Sequence, residues 1–326
     1  MERNQSIDLI KIIAMIMVIG LHVNIGRLDN PIAFVISRTS GIAIPLFFMV
    51  SGFLLWGRKD NVKYSLKKIF NILKFCLLVC FAYWLLFDLR HGKGIDYLWL
   101  LCKGCFIQQE RMGVLWYLGA MIILYALLPI INYLDSKYKF FIIYINIILL
   151  SVIFVTFTLN LYMRFEQNYI IQTFRIWNWL FYFSLGGIIK KTYNRHILTS
   201  YCKKKIIGLL TIIFWGIFVL YVYYMRNHLG GIEYYFGTPI CWLYASSMFI
   251  FILSLNIKEN RIIKELSNVF LPVYVIHITV ISIIHERFPL NWTWAPIWDF
   301  ISVSIISVVI GVILMRIPFI NKGFKI

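Results

Sequence analysis

Acidic residues are scarce in this chain: 14 Asp and Glu stand against 32 Lys and Arg, and charged residues of both signs make up only 14% of its 326 positions. So little polar surface excludes a water-soluble domain. The +18 balance would otherwise suggest nucleic acid, but no soluble basic domain exists to carry it, so the charge belongs in short loops. Linkers, low-complexity tracts and internal repeats are also lacking, which leaves one domain over residues 1–326. The six cysteines offer no framework. Cys76 and Cys80 lie one helical turn apart, and Cys102 with Cys105 is a lone C-x-x-C without a second ligand pair, so they read as small apolar residues and no metal is expected.

What the chain has in abundance is apolar: 61% of residues are hydrophobic and the mean hydropathy is +0.79. Backbone polar groups must be satisfied within the hydrocarbon, which allows helices or a closed barrel. Unbroken apolar runs of 16 to 24 residues select helices, since barrel strands are shorter and alternate. The expectation is an all-α, polytopic integral membrane protein with about ten transmembrane helices, near 9–26, 41–57, 70–88, 114–134, 139–161, 177–190, 206–225, 237–255, 267–285 and 297–319. With an internal N-terminus, twenty of the 32 basic residues fall on the inner side and ten outside, so both termini are expected in the cytoplasm. The first run, Leu9 to Ile25, has no small-residue cleavage site and contains Lys11 and His22, which reads as a retained helix. Tyr97 to Ile107 is apolar but too short to cross, and is expected in the interface.

Ionisable side chains within a span are costly and are functional candidates by default. The first helix holds three of them: Asp8, Lys11 and His22. Eleven residues separate Lys11 from His22, about three turns, so both project from one face roughly 16 Å apart. That face should point into the protein, with Asp8 pairing Lys11 near the inner boundary. Lys11 is equally readable as a snorkelling anchor. His22 has the side chain best suited to take a proton from a hydroxyl at neutral pH.

Asp8-Leu9-Ile10-Lys11, with Leu21-His22 eleven positions on, resembles the opening of the membrane-bound acyltransferase-3 family, where an arginine precedes the histidine. Pro45-Leu46-Phe47-Phe48-Met49-Val50-Ser51-Gly52-Phe53-Leu54-Leu55 is similar to the family's second helix, followed by a basic segment. Leu115-Trp116-Tyr117-Leu118, Tyr182-Phe183-Ser184-Leu185-Gly186-Gly187 and Pro272-Val273-Tyr274-Val275-Ile276-His277 resemble three later segments, in order along nearly the whole chain. Two features depart. Lys11 keeps the charge of the family's arginine but loses its planar fork. Lys67 and Lys68 stand where arginine is usual, and Asn71 replaces a second one.

The resemblance implies acyl transfer from coenzyme A, with acetyl-CoA entering from the cytoplasm and a hydroxyl of a cell-surface glycan or lipid-linked sugar as acceptor, in a bacterial plasma membrane. His22 is then the expected base, with Lys11 and Asp8 holding part of the donor or each other. Arg58, Lys63, Lys67 and Lys68, with Lys59, form a cluster that can hold the donor phosphates or simply set topology. Trp116 can stack on a sugar ring or belong to an interfacial aromatic belt. Glu110 and Arg111 can contact the acceptor or each other, and His277 should lie near mid-membrane facing the cavity of His22. Ser51 lacks a base beside it and reads as helix packing. Membrane lipids are the other expected partner. A transporter, or a family member that has kept the fold without the chemistry, is the rival reading.

Overall fold

The computed structural model describes residues 3–58, 61–193, 201–229, 233–288 and 292–324. Among them there is no strand. The helices are α1 (Gln5–His22), α2 (Pro31–Thr39), α3 (Ala43–Leu55), α4 (Asn61–Tyr83), α5 (Ile95–Ile107), α6 (Trp116–Lys137), α7 (Phe141–Met163) and α8 (Phe165–Tyr169). They continue with α9 (Ile176–Tyr193), α10 (Tyr201–Leu229), α11 (Pro239–Ser254), α12 (Arg261–Asn268), α13 (Phe270–Arg287), α14 (Ala295–Arg316) and α15 (Pro318–Phe324).

Each of the ten expected spans coincides with a helix. Eight stretches among the described residues are long and apolar enough to cross a bilayer, with α2 and α3 counting as one and α5 and α6 as another. The other two expected spans are α9, whose last turn carries Lys190 and Lys191, and the 16-residue α11. The chain is an all-α, multi-pass membrane protein. The expected interfacial stretch is α5, which buries Leu101, Gly104 and Cys105 and packs against α4 and α6. The segment before α3 is not a plain loop: Asn30 caps α2 and Pro31 begins it, a start well matched to a helix N-terminus.

α1 runs through the middle of the bundle, touching α2, α3, α11, α12, α13 and α14. Its Ile10, Ala14 and Ile19 are fully buried. The end of the bundle where α1 begins is called basal below, and the end that carries His22 apical. The tightest seam is α3 against α9. A Cβ on Gly52 would sit 1.7 Å from the Phe183 carbonyl oxygen, and one on Gly186 would sit 2.0 Å from that of Met49. Two glycines thus let the helix backbones approach within van der Waals contact, the usual device where lipid provides no hydrophobic drive between helices.

Because backbone cannot swing aside as a side chain can, Gly52→Ala should cost about 3 kcal/mol. Gly216→Ala, whose new methyl would meet nothing within 4 Å, should be neutral or better. Thermal melting in detergent checks the pair: equal midpoints would contradict the close-packed seam.

Candidate active site

The basal end of α1 is held by charge. Asn4 caps it, accepting from Ser6 N at 3.0 Å and Ile7 N at 3.3 Å. Asp8, 2% exposed, accepts from Arg3 Nε at 2.5 Å and from Ser267 Oγ at 2.8 Å, and Lys11 Nζ lies 3.6 Å away. Arg3 also donates to Lys264 O and Asn268 Oδ1. The Asp8–Lys11 pair expected from the sequence is present, and the network fastens α1 to α12. At the apical end Arg27, just beyond α1, donates to the buried Asp299 of α14, and His285 Nε2 lies 3.4 Å from the same carboxylate.

Two cavities flank the middle of the bundle. The basal one, about 630 Å³, is bordered by Lys68, Ser51, Tyr117, Tyr125, Ser267 and Asn268 among others. Among the described residues of the basic cluster, Lys68 is the one that reaches it. Lys63 and Lys67 are exposed on α4 outside its lining, and exposed Arg58 lies over the Tyr64 ring at 3.8 Å. Lys59 falls outside the described residues. Ser51 Oγ donates to Phe47 O at 2.9 Å and lies 3.4 Å from Tyr117 Oη, so its hydroxyl serves its own helix.

The apical cavity, about 230 Å³, is lined by His22, Gln108, Glu110, Gly113, Val114 and Trp116. Trp116 and Tyr117 are adjacent at the start of α6, yet Trp116 borders the apical cavity and Tyr117 the basal one. A ladder of rings runs from one lining to the other. Tyr117 meets Tyr274 at 6.2 Å, Tyr274 meets His277 at 6.1 Å, and His277 meets His22 at 5.2 Å between centroids. Tyr274 Oη donates to Val114 O, pinning the ladder to the loop before α6. Trp116 is not a lipid-facing belt residue: it is 9% exposed and packs on Trp179, which stacks on Phe48. His277 is fully buried behind His22 and is not among the lining residues.

The apical wall is strained. Gln108 and Glu110 both have positive φ, +55° and +54°. Glu110 combines this with ψ −171°, a region that L side chains rarely occupy. The loop closes tightly on α5, where a Cβ at Gly104 would lie 2.3 Å from Gln109 O. Gln108 Oε1 accepts from Gln172 N at 2.7 Å, which fixes the amide so that its NH₂ group is the part left to donate. Gln172 belongs to a segment held by buried Glu166, which accepts from Asn160, Trp177 and Asn178. Glu110 accepts from Tyr97 Oη at 2.8 Å; no ion pair joins it to Arg111 among the described residues. Gln108 was not singled out from the sequence, because nothing in its local pattern sets it apart from other loop residues, and Tyr274 entered only as part of the family-like segment Pro272–His277.

The cysteines do gather: Cys80 and Cys105 approach to 3.4 Å between sulfurs across the α4–α5 seam, both buried. Enclosed among apolar neighbours, they serve as packing.

A family model described as an acyltransferase domain matches residues 4–316. The chain therefore belongs to the acyltransferase-3 family and is a membrane acyltransferase. No curated protein and no solved structure matches it.

Glu110→Gly and Glu110→Ala both remove the carboxylate, but only glycine relieves the backbone. The glycine variant should be the more stable by about 1–2 kcal/mol, read as the difference in thermal midpoints. A higher midpoint for alanine would show that the loop is not strained.

Proposed function

We propose that this protein moves an acetyl group from acetyl-coenzyme A, bound from the cytoplasmic side, to a hydroxyl of a cell-surface glycan or lipid-linked sugar presented on the outer side of a bacterial plasma membrane. The observation that carries this reading is the pair of cavities back to back at Trp116 and Tyr117, with His22 in one and Lys68 in the other. The basal cavity, cytoplasmic in this assignment, has the volume of a small-molecule site, which runs about 300–1,000 Å³. Lys68 meets a donor phosphate there, with Arg58 at the mouth, and Tyr64 and Tyr125 offer rings beside it. The acyl end then passes Ser51 and Tyr117 and crosses the ring ladder toward His22.

On the outer side His22 takes the proton of the acceptor hydroxyl as its oxygen attacks the thioester carbonyl. The C–O bond forms and the carbonyl oxygen gains charge. Gln108, its amide held by Gln172, is placed to donate to that oxygen or to the sugar, as is the indole N–H of Trp116. Collapse breaks the C–S bond, and the proton held by His22 returns to the leaving coenzyme A thiolate. Glu110 accepts from a neighbouring sugar hydroxyl, and Arg111 stands at the exposed rim. The cavity is too small for a whole oligosaccharide, so it takes the reacting hydroxyl and its flank while the remainder stays outside. Lys11 is tied to Asp8 and far along the helix from His22; its part is to hold α1 rather than to touch the reacting atoms.

Acetate released by mild base from surface glycan, compared at matched membrane levels, should fall at least 100-fold in His22→Ala. Unchanged acetate would remove His22 as the base. Lys68→Ala should raise KM for acetyl-CoA about tenfold with kcat little altered, the signature of a lost ground-state contact. An unchanged KM would place the donor phosphates elsewhere.

A further inference from the structure

The ring of His277 touches the proposed base from a direction in which no substrate can come. It is fully buried on α13, its centroid 5.2 Å from that of His22 and the planes tilted by 47°. Its Nδ1 lies 2.9 Å from the Tyr274 carbonyl oxygen. A carbonyl oxygen only accepts, so Nδ1 carries the proton and Nε2 carries a lone pair. That Nε2 is buried and has no hydrogen-bond partner among the described residues. An acceptor enclosed in a membrane protein and left unmet is costly, and such an atom calls for an explanation.

His22 supplies one. In its neutral form it has one N–H to give, and it makes no hydrogen bond of its own among the described residues. We infer that His277 is a positioning residue for His22: its Nε2 accepts the N–H of His22, selecting the tautomer whose other nitrogen faces the apical cavity with its lone pair free. The inference rests on the reading of His22 as base. The contact closes by rotation of the half-buried His22 ring, because His277 is held by the Tyr274 carbonyl and Tyr274 by Val114.

The arrangement has the logic of a nucleophile-activating triad with a neutral third member. When His22 takes the hydroxyl proton it becomes an imidazolium with two N–H groups. One is held by His277 Nε2, and the other returns its proton to the coenzyme A thiolate. His277 gains no proton at any step, and the orienting chain ends at the Tyr274 carbonyl. The direction is set by that carbonyl, so the pair cannot exchange roles.

The test uses the full-length protein in membranes that contain their own acceptor, following release of free coenzyme A thiol from acetyl-CoA. Four variants are compared at matched amounts and after checking thermal stability: His22→Ala, His277→Phe, His277→Gln and the double variant His22→Ala with His277→Phe. Phenylalanine keeps a ring and removes the acceptor, whereas the glutamine carbonyl oxygen restores an acceptor near the Nε2 position. The expected result is a kcat at least 30-fold lower for His277→Phe with KM for acetyl-CoA within twofold of wild type. Recovery to within fivefold of wild type in His277→Gln, and a double variant no slower than His22→Ala alone, complete the expectation. Full kcat in His277→Phe while His22→Ala is inactive would overturn the pairing and leave the base intact. Equal loss in the glutamine and phenylalanine variants, or a loss carried by KM, would overturn it as well. Activity retained in His22→Ala would overturn the base itself.

Discussion

Everything at the site depends on the anchoring of α1 at both ends by ion pairs. A charged side chain at the middle of a bilayer costs about 2.5–3.5 kcal/mol on insertion scales, more without partners. Here two buried carboxylates are paired: Asp8 with Arg3, Lys11 and Ser267, and Asp299, through one oxygen, with Arg27. One lock joins α1 to α12, the other joins the turn after α1 to α14. Together they fix both the rotation and the height of the helix, since a one-residue slip would move His22 by about 1.5 Å and 100°. A base must be placed to within a hydrogen-bond length, and α1 itself contributes no sideways rigidity beyond its packing.

The second constraint is the wall opposite His22. Residues 108–115 run from the end of α5 to the start of α6 with two left-handed non-glycine residues, and they are held by Gln172, Tyr97 and Tyr274. Strain of this kind persists only where surrounding contacts impose it, and it concentrates at sites that use it. The same loop delivers Trp116 to one cavity and Tyr117 to the other, so a single backbone turn separates the compartments on either side of the ring ladder. The proposed transfer needs two substrates that meet without their compartments joining, and the Tyr117, Tyr274, His277 and His22 rings run from the lining of one cavity to the lining of the other.

The helices were legible because long apolar runs leave the backbone one choice, and each of the ten expected segments is helical. The shared helix of the three ionisable candidates was legible for the same reason: Asp8, Lys11 and His22 all lie on α1, so their relation follows from 100° per residue. What escaped depends on partners distant in sequence. Arg27 and Asp299 are 272 residues apart, and neither sits in a pattern that names the other. Lys63, Lys67 and Lys68 form one basic run, but a helix turns them to different directions, and only Lys68 faces the cavity. Gln108 lies in a loop with no periodicity to read, and its importance comes from Gln172, 64 residues on. The four cysteines looked like unrelated pairs until α4 and α5 brought Cys80 to Cys105.

In the proposed reaction donor and base meet across the ring ladder at the start of α6, and a cryo-EM structure of the full chain with a non-hydrolysable acetyl-coenzyme A analogue is the decisive measurement. The phosphates should lie beside Lys68 and the acyl carbon beyond Tyr117, within about 4 Å of a His22 ring nitrogen, near-attack distance once a hydroxyl is present. An analogue whose acyl end lies away from the Tyr117–His277 ladder, or whose phosphates bind elsewhere than the Lys68 cavity, would contradict it.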